Sequence, residues 1–205
     1  MQITNVSNIS NFYSKSFKAN KISSHTIKKI NDDGSLSDFN ADFVEFDKGN
    51  VNDVILFKNL EQESKDLLKN GDFTYWIASN FLATESYYSS SIHYYGLVKP
   101  QPDYNKVNKE NVLGLVEVFD GMFNPTQNVD FIQSMQNCKY DSEERKFKEV
   151  GKRMLDGVIA ETCKDVELSS ISSAKPFYIA YGFNKIKDEE DPDRMIYRNP
   201  QNNNY

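Results

Sequence analysis

Ala174-Lys175-Pro176-Phe177-Tyr178-Ile179-Ala180-Tyr181-Gly182-Phe183 reads as a short helix closed by a glycine. Gly182 stands where a helix C-terminus favours a left-handed residue, a conformation glycine adopts without a Cβ penalty. Phe183 then opens a strand through Ile186, and Met195 to Tyr197 forms a second, the pair ending the chain's pattern. Working back, Val166 to Ile171 is predicted as a strand. Gly151 to Lys164 is predicted as an amphipathic helix, with Met154, Leu155, Val158, Ile159 and Thr162 on its packed face.

Further upstream, three strands are predicted at Ile92 to Val98, Val112 to Phe119 and Val129 to Met135. Segments with Pro100, Pro102, Gly121 and Pro125 separate them. Phe43 to Phe46 reads as a first strand. Asn52 and Asp53 then cap a helix with Val54, Phe57, Leu60, Ser64 and Leu67 at helical spacing, ending at Asn70-Gly71. A second helix spans Phe73 to Ala83, with Trp76 expected in the core. The charged stretch from Lys139 to Lys148 reads as a loop. Residues 1 to 40, rich in Asn, Ser and Lys and ending at the turn-like Asn31-Asp32-Asp33-Gly34-Ser35, are expected to be a flexible extension, as is the tail 199–205. The order β-α-α-β-β-β-α-β-α-β-β defines an α/β (α+β) fold, a mixed central sheet flanked by helices on both faces.

The 205 residues suit one domain, here 41–198, and 14 Phe with 12 Tyr supply much of its apolar material. A net charge of −6 argues against a general nucleic-acid binder, whose affinity comes from clustered Lys and Arg. Cys138 and Cys163 lie too far apart for a zinc motif or a disulfide framework, so no metal site is expected. The first residues lack the apolar core of a signal peptide, and no stretch reaches the length of a membrane span. A cytoplasmic, non-membrane protein is expected, as a monomer or homodimer.

Two segments carry a resemblance. Lys146-Phe147-Lys148-Glu149-Val150-Gly151-Lys152-Arg153-Met154-Leu155 is similar to the phosphate-binding signature of the GNAT superfamily of N-acetyltransferases, Arg/Gln-x-x-Gly-x-Gly/Ala before a helix. Ala174 to Phe183 is similar to that family's closing signature, an Ala leading into Phe-Tyr with Gly-Phe following four residues after the Tyr. One helix and one strand separate them, as in the family, and with the strand order the likeness spans roughly residues 41 to 198.

The resemblance implies an acetyl transfer from acetyl-CoA to a primary amine of an unknown small-molecule, peptide or protein acceptor. It places the CoA phosphates at 146–153. There the start of the Gly151 helix offers unpaired N–H groups, and Arg145, Lys146, Lys148, Lys152 and Arg153 supply positive charge. It places the pantetheine arm along the strand ending at Ser134-Met135, which splays from its neighbour in the family, and it gives Tyr178 the role of protonating the departing thiolate. Asp130 and Glu117 are alternatives for the base; either also suits a solvent-facing strand position. Glu149 departs from the pattern. It puts a Cβ and a negative charge where the family has glycine, and this motivates the alternative of a non-catalytic GNAT-fold CoA-binding or interaction module. A further alternative is an unrelated α/β interaction domain that uses the Tyr-rich 87–95 segment.

Overall fold

The computed structural model describes residues 19–68, 76–83, 91–121, 125–139 and 142–202. The predicted helix stop at Asn70-Gly71, the first residues of the Phe73 helix, residues 87–90 and the first 18 residues lie outside that set. The strands are β1 (Asn20–Ile30), β2 (Leu36–Phe46), β3 (Ile92–Val98), β4 (Val112–Phe119), β5 (Thr126–Ser134), β6 (Phe147–Lys148), β7 (Asp165–Ser169), β8 (Asn184–Lys185) and β9 (Arg194–Tyr197). The helices are α1 (Val51–Leu68), α2 (Trp76–Ala83), α3 (Val150–Glu161) and α4 (Lys175–Tyr181). One mixed sheet runs β6-β1-β2-β3-β4-β5-β7-β9-β8, parallel only between β5 and β7.

Two apolar layers cover the sheet. On one face Phe43, Leu97, Leu113, Val116 and Val118 pack with Met154, Leu155 and Val158 of α3 and Tyr178 of α4. On the other, Val44, Phe46, Tyr94 and Leu115 pack with Leu56, Phe57 and Leu60 of α1 and Ile77, Ala78 and Phe81 of α2. Of the predicted apolar positions, Met154, Leu155 and Val158 are buried, Ile159 is partly buried against the same layer, and the buried Thr162 is the residue that caps the helix end. That helix lies so close to β2 that a Cβ at Gly157 would come within 2.7 Å of the Phe43 ring. The expected mixed sheet with helices on both faces is what forms.

The expected flexible extension does not hold for residues 20–40. They complete a long antiparallel hairpin, β1 with β2, and β2 begins at Leu36 rather than Phe43. Asn31 to Ser35 is indeed a turn: Gly34 has φ 80°, and the Asn31 N–H donates to the Ser35 carbonyl at 2.9 Å. Composition hid this strand because β1 is mostly solvent-facing. Ile27 alone among its residues is fully buried, and Asn20, Lys21, Ser24, Thr26 and Lys29 take the exposed positions. The expected loop before α3 likewise contains β6, which pairs Lys148 with Lys28 on the edge of β1. The tail begins anchored: Asn199 is buried, its N–H donating to Asp165 at 2.9 Å and its side-chain amide to the Thr162 carbonyl at 2.8 Å.

Two local expectations are also corrected. Trp76, placed in the core by helical spacing, is 58% exposed at the start of α2. Asn50 rather than Asn52 caps α1, accepting from the Asn52 N–H at 3.1 Å, while the buried Asp53 carboxylate accepts from the Asp47 N–H at 2.9 Å. Both cysteines are free thiols. Among the described residues no His, Cys, Asp and Glu cluster could hold a metal ion, and no helix is long and apolar enough to cross a membrane.

Candidate active site

The parallel pairing of β5 with β7 is short, Thr126 to Val129 against Asp165 to Leu168. At that point β5 bulges. Glu117 of β4 faces Phe131 and Val118 faces Val129, which leaves Asp130 as the extra residue. A bulge bends its strand and ends local pairing, so from Phe131 to Ser134 β5 pairs with β4 but no longer with β7. The divergence opens a cleft of about 410 Å³. Asp130 and Phe131 line it on the β5 side, Glu167, Leu168 and Ser169 on the β7 side, and Arg194 on β9. The predicted splay is present and starts four residues before Ser134.

Directly opposed residues of neighbouring strands point to one face, and the pairings Phe46–Tyr94, Tyr94–Glu117 and Glu117–Phe131 align such a row across four strands. The row ends at the first cleft residue past the β5–β7 pairing. It lies beneath α2, whose Asn80 amide donates to Glu117 Oε2 at 3.0 Å. Glu117 is only 5% exposed. Burial pushes its carboxyl above the usual range, the Asn80 hydrogen bond and the nearby Lys48 charge oppose the rise, and the Asp130 charge adds to it. Lys48, in the turn after β2, holds its ammonium 5.3 Å from the Phe81 ring centroid and 5.5 Å from that of Tyr94. Of the two acids, Glu117 is held and enclosed, whereas Asp130 is exposed on the bulge.

The 146–153 segment folds as a strand, a tight turn and a helix start. Glu149 has φ 69°, the left-handed region, and is the one non-glycine residue with positive φ among those described. It stands where the resemblance has glycine, and the turn from β6 into α3 gives it the left-handed geometry that glycine adopts without a Cβ penalty. No side chain caps α3, so the N–H groups of Val150, Gly151 and Lys152 have no partner within the helix. Gly151 lies beside Phe177 of α4, with room for a Cβ at 3.4 Å from its ring.

The charges there are less uniform than the sequence implies. Arg153 is engaged, donating from Nε to the Thr26 carbonyl at 2.9 Å, from Nη1 to Asp156 at 2.9 Å and from Nη2 to Glu149 at 3.3 Å. It braces α3 against β1 instead of standing open. Arg145 donates to the Phe147 carbonyl at 3.2 Å. Lys146, Lys148 and Lys152 make no ion pair with described residues, and Lys146 and Lys152 are exposed. The side chains of Phe147 and of Val150, the first residue of α3, are buried in the α3-side apolar layer, and Met135 belongs to the opposite layer, so these three offer a ligand their backbone only. Ser134 pairs with Gly114 at the end of β5.

Tyr178 is 7% exposed, its ring edge-on to Phe177 and Phe183 at centroid distances of 5.1 and 5.7 Å. Its hydroxyl makes no hydrogen bond with described residues, and burial pushes the phenol up to about 12. The fold thus brings Glu117 and Asp130 together at the bulge. It sets Tyr178 in the α3-side apolar layer, on the face of the sheet opposite the Tyr94–Glu117 row. Asn80 and Lys48 lie outside the motifs, and only the tertiary fold brings them to Glu117.

No family model and no curated protein matches the sequence. Solved structures do. PaiA N-acetyltransferase from Thermoplasma acidophilum, in complex with coenzyme A, is 14% identical over 71% of this chain and 92% of its own, with a TM-score of 0.43. GCN5 of Tetrahymena is 13% identical over 87% and 99%, with a TM-score of 0.47. An aminoglycoside 6′-acetyltransferase type Ii is 13% identical over 76% and 96%, with a TM-score of 0.48. These are likenesses of fold and carry nothing about the acceptor. The mixed sheet and the parallel pair that splays beside a bulge agree with the fold expected from the resemblance of the two sequence segments.

Proposed function

We propose that this protein transfers an acetyl group from acetyl-CoA to a primary amine by direct attack. The observation that carries the reading is the splay of β5 from β7 at Asp130, one strand away from the buried Glu117. An extended, amide-bearing pantetheine arm can add to the β5 edge from Phe131 to Ser134 as a strand would. The uncapped α3 start and Lys146, Lys148 and Lys152 suit the pyrophosphate.

In this reading Glu117 accepts the proton of the incoming ammonium, a task suited to a carboxylate whose affinity for protons is raised by burial. The neutral amine attacks the thioester carbonyl, the C–S bond breaks, the Tyr178 phenol protonates the thiolate, and the proton the nitrogen sheds as the amide forms restores the phenol. Raised by burial, that phenol stays protonated near neutral pH, as a donor must. Glu149 does not oppose the phosphates as a bare charge, because Arg153 pairs with it and Lys28 lies near.

A thermal-shift titration with CoA and acetyl-CoA, followed by thiol-release assays over a panel of primary amines, tests the reading. Saturating CoA at a hundred times its Kd stabilises by about 2.7 kcal/mol. Absence of CoA binding overturns the proposal. Tight binding without turnover on any amine favours the non-catalytic module.

A further inference from the structure

Lys48 is a cation placed among aromatic rings. Its ammonium lies over both Phe81 and Tyr94, and it is close enough to Glu117 for their charges to act on one another. Tyr94 stands directly beside Glu117 in the cross-strand row, and Phe131, next in that row, is the first β5 residue in the cleft. Neighbouring strands lie about 4.8 Å apart, so the row from Tyr94 to Phe131 spans roughly 10 Å. A lysine side chain entering from the turn after β2 therefore holds a primary amine over Tyr94, the cross-strand neighbour of the carboxylate that would deprotonate an acceptor.

We propose that Lys48 is an acetyl acceptor of its own active site, a modification in cis that rests on the acetyltransferase reading above. The Lys48 ammonium gives one proton to the Glu117 carboxylate. The neutral Nζ attacks the carbonyl carbon of an acyl-CoA thioester; the N–C bond forms and the C–S bond breaks. As the amide forms the nitrogen gives up its second proton, the thiolate takes a proton from Tyr178 and leaves as a thiol, and the amine's second proton restores the phenol. Glu117 then releases its proton to water, so one acetyl group moves and one proton is set free. Burial lowers the proton affinity of Lys48, which enlarges the fraction of neutral amine available for attack. The exposed Lys146 and Lys152 have no carboxylate so placed and lack this assistance.

The full chain, incubated with acetyl-CoA and no added amine, is followed by intact mass and peptide mapping. The expected result is one acetyl group at Lys48, ahead of Lys146 and Lys152, with a rate constant independent of protein concentration. Glu117→Gln should slow labelling of Lys48 at least tenfold and leave slow chemical labelling of the exposed lysines unchanged. Lys48→Arg, which keeps the cation over the two rings, should abolish that label. Labelling of Lys48 no faster than of the exposed lysines, or a rate proportional to protein concentration, overturns the inference. If added amines are acetylated while Lys48 stays unmodified, the cis modification fails and the acetyltransferase reading stands. If CoA does not bind, both fail together.

Discussion

Glu149 adopts φ 69° at the turn into α3, and Arg153, one helical turn later, returns to its carboxylate at 3.3 Å. The side chain that departs from the glycine pattern thus keeps the glycine conformation, and its charge is partly met by a residue of the same segment. A left-handed non-glycine residue costs roughly 1–2 kcal/mol. The Arg153 pair, half-exposed, returns only a few tenths of a kcal/mol.

Glu149→Gly follows from that balance. Relief of the left-handed strain is offset by the lost ion pair and by the greater freedom of glycine in the unfolded chain, about 0.5–1 kcal/mol. Melting temperature should move little, and calorimetric CoA affinity should be equal or tighter. Loss of CoA binding would show that the Glu149–Arg153 pair orders the turn, and would count against aligning Glu149 with the motif glycine.

Lys148→Glu with Lys152→Glu reverses two charges beside the uncapped helix start. CoA binding measured by calorimetry should weaken, and the loss should be larger at low salt, where the Debye length exceeds 10 Å, than at high salt. The fold should persist, since Lys152 is exposed and neither lysine pairs with a described acid. Unchanged affinity at both salt concentrations would remove this segment from the phosphate site.

Tyr178→Phe keeps the ring between Phe177 and Phe183 and removes a hydroxyl that makes no hydrogen bond with described residues. No buried partner is stranded, so the melting temperature should hold within a few degrees. With an acceptor amine in hand, kcat should fall by about 10²-fold while acetyl-CoA affinity stays. Because burial pushes the phenol up to about 12, its alkaline limb lies beyond practical pH, and kcat rather than the pH profile is the readout. Wild-type turnover in a folded variant would sink the role.

Glu117→Gln tests the base. The raised proton affinity of Glu117 means that wild-type activity should climb with pH through a midpoint above the usual glutamate value. The amide can still pair with Asn80 but takes no proton, so kcat should drop by about 10²- to 10⁴-fold and the acidic limb should flatten. An unaltered limb would transfer the assignment to Asp130.

Asp53 gives a stability test with a definite sign. Burial raises its carboxyl to about 6, against the hydrogen bonds it accepts from the Asp47 N–H and the Asn50 side chain. The folded state holds this proton more tightly than the unfolded state. The stabilisation is therefore fully present below about pH 4 and lost as pH rises through about 6. Asp53→Asn, which retains an oxygen for the Asp47 N–H, should lose this dependence and gain on the wild type above pH 6, by at most about 2–3 kcal/mol. Parallel stability–pH curves for the two proteins would show that Asp53 is not titrating in that window.

The sequence by itself determined the local elements and their order. Strands β3 and β4 form over the predicted residues, α3 buries Met154, Leu155 and Val158 of its predicted apolar face, and Gly182 closes α4 at φ 120°. Periodicity and turn chemistry are local signals, written within one stretch of chain. The tertiary structure decided what depends on partners. β1 and β6 carry little apolar pattern and become strands because each finds an edge to pair with, and Arg153 is drawn from the phosphate loop to the Thr26 carbonyl of that same β1. The meeting of Lys48, Phe81, Tyr94 and Glu117 joins a turn, a helix and two strands far apart in sequence. Pairwise register places them, and no spacing along the chain records it.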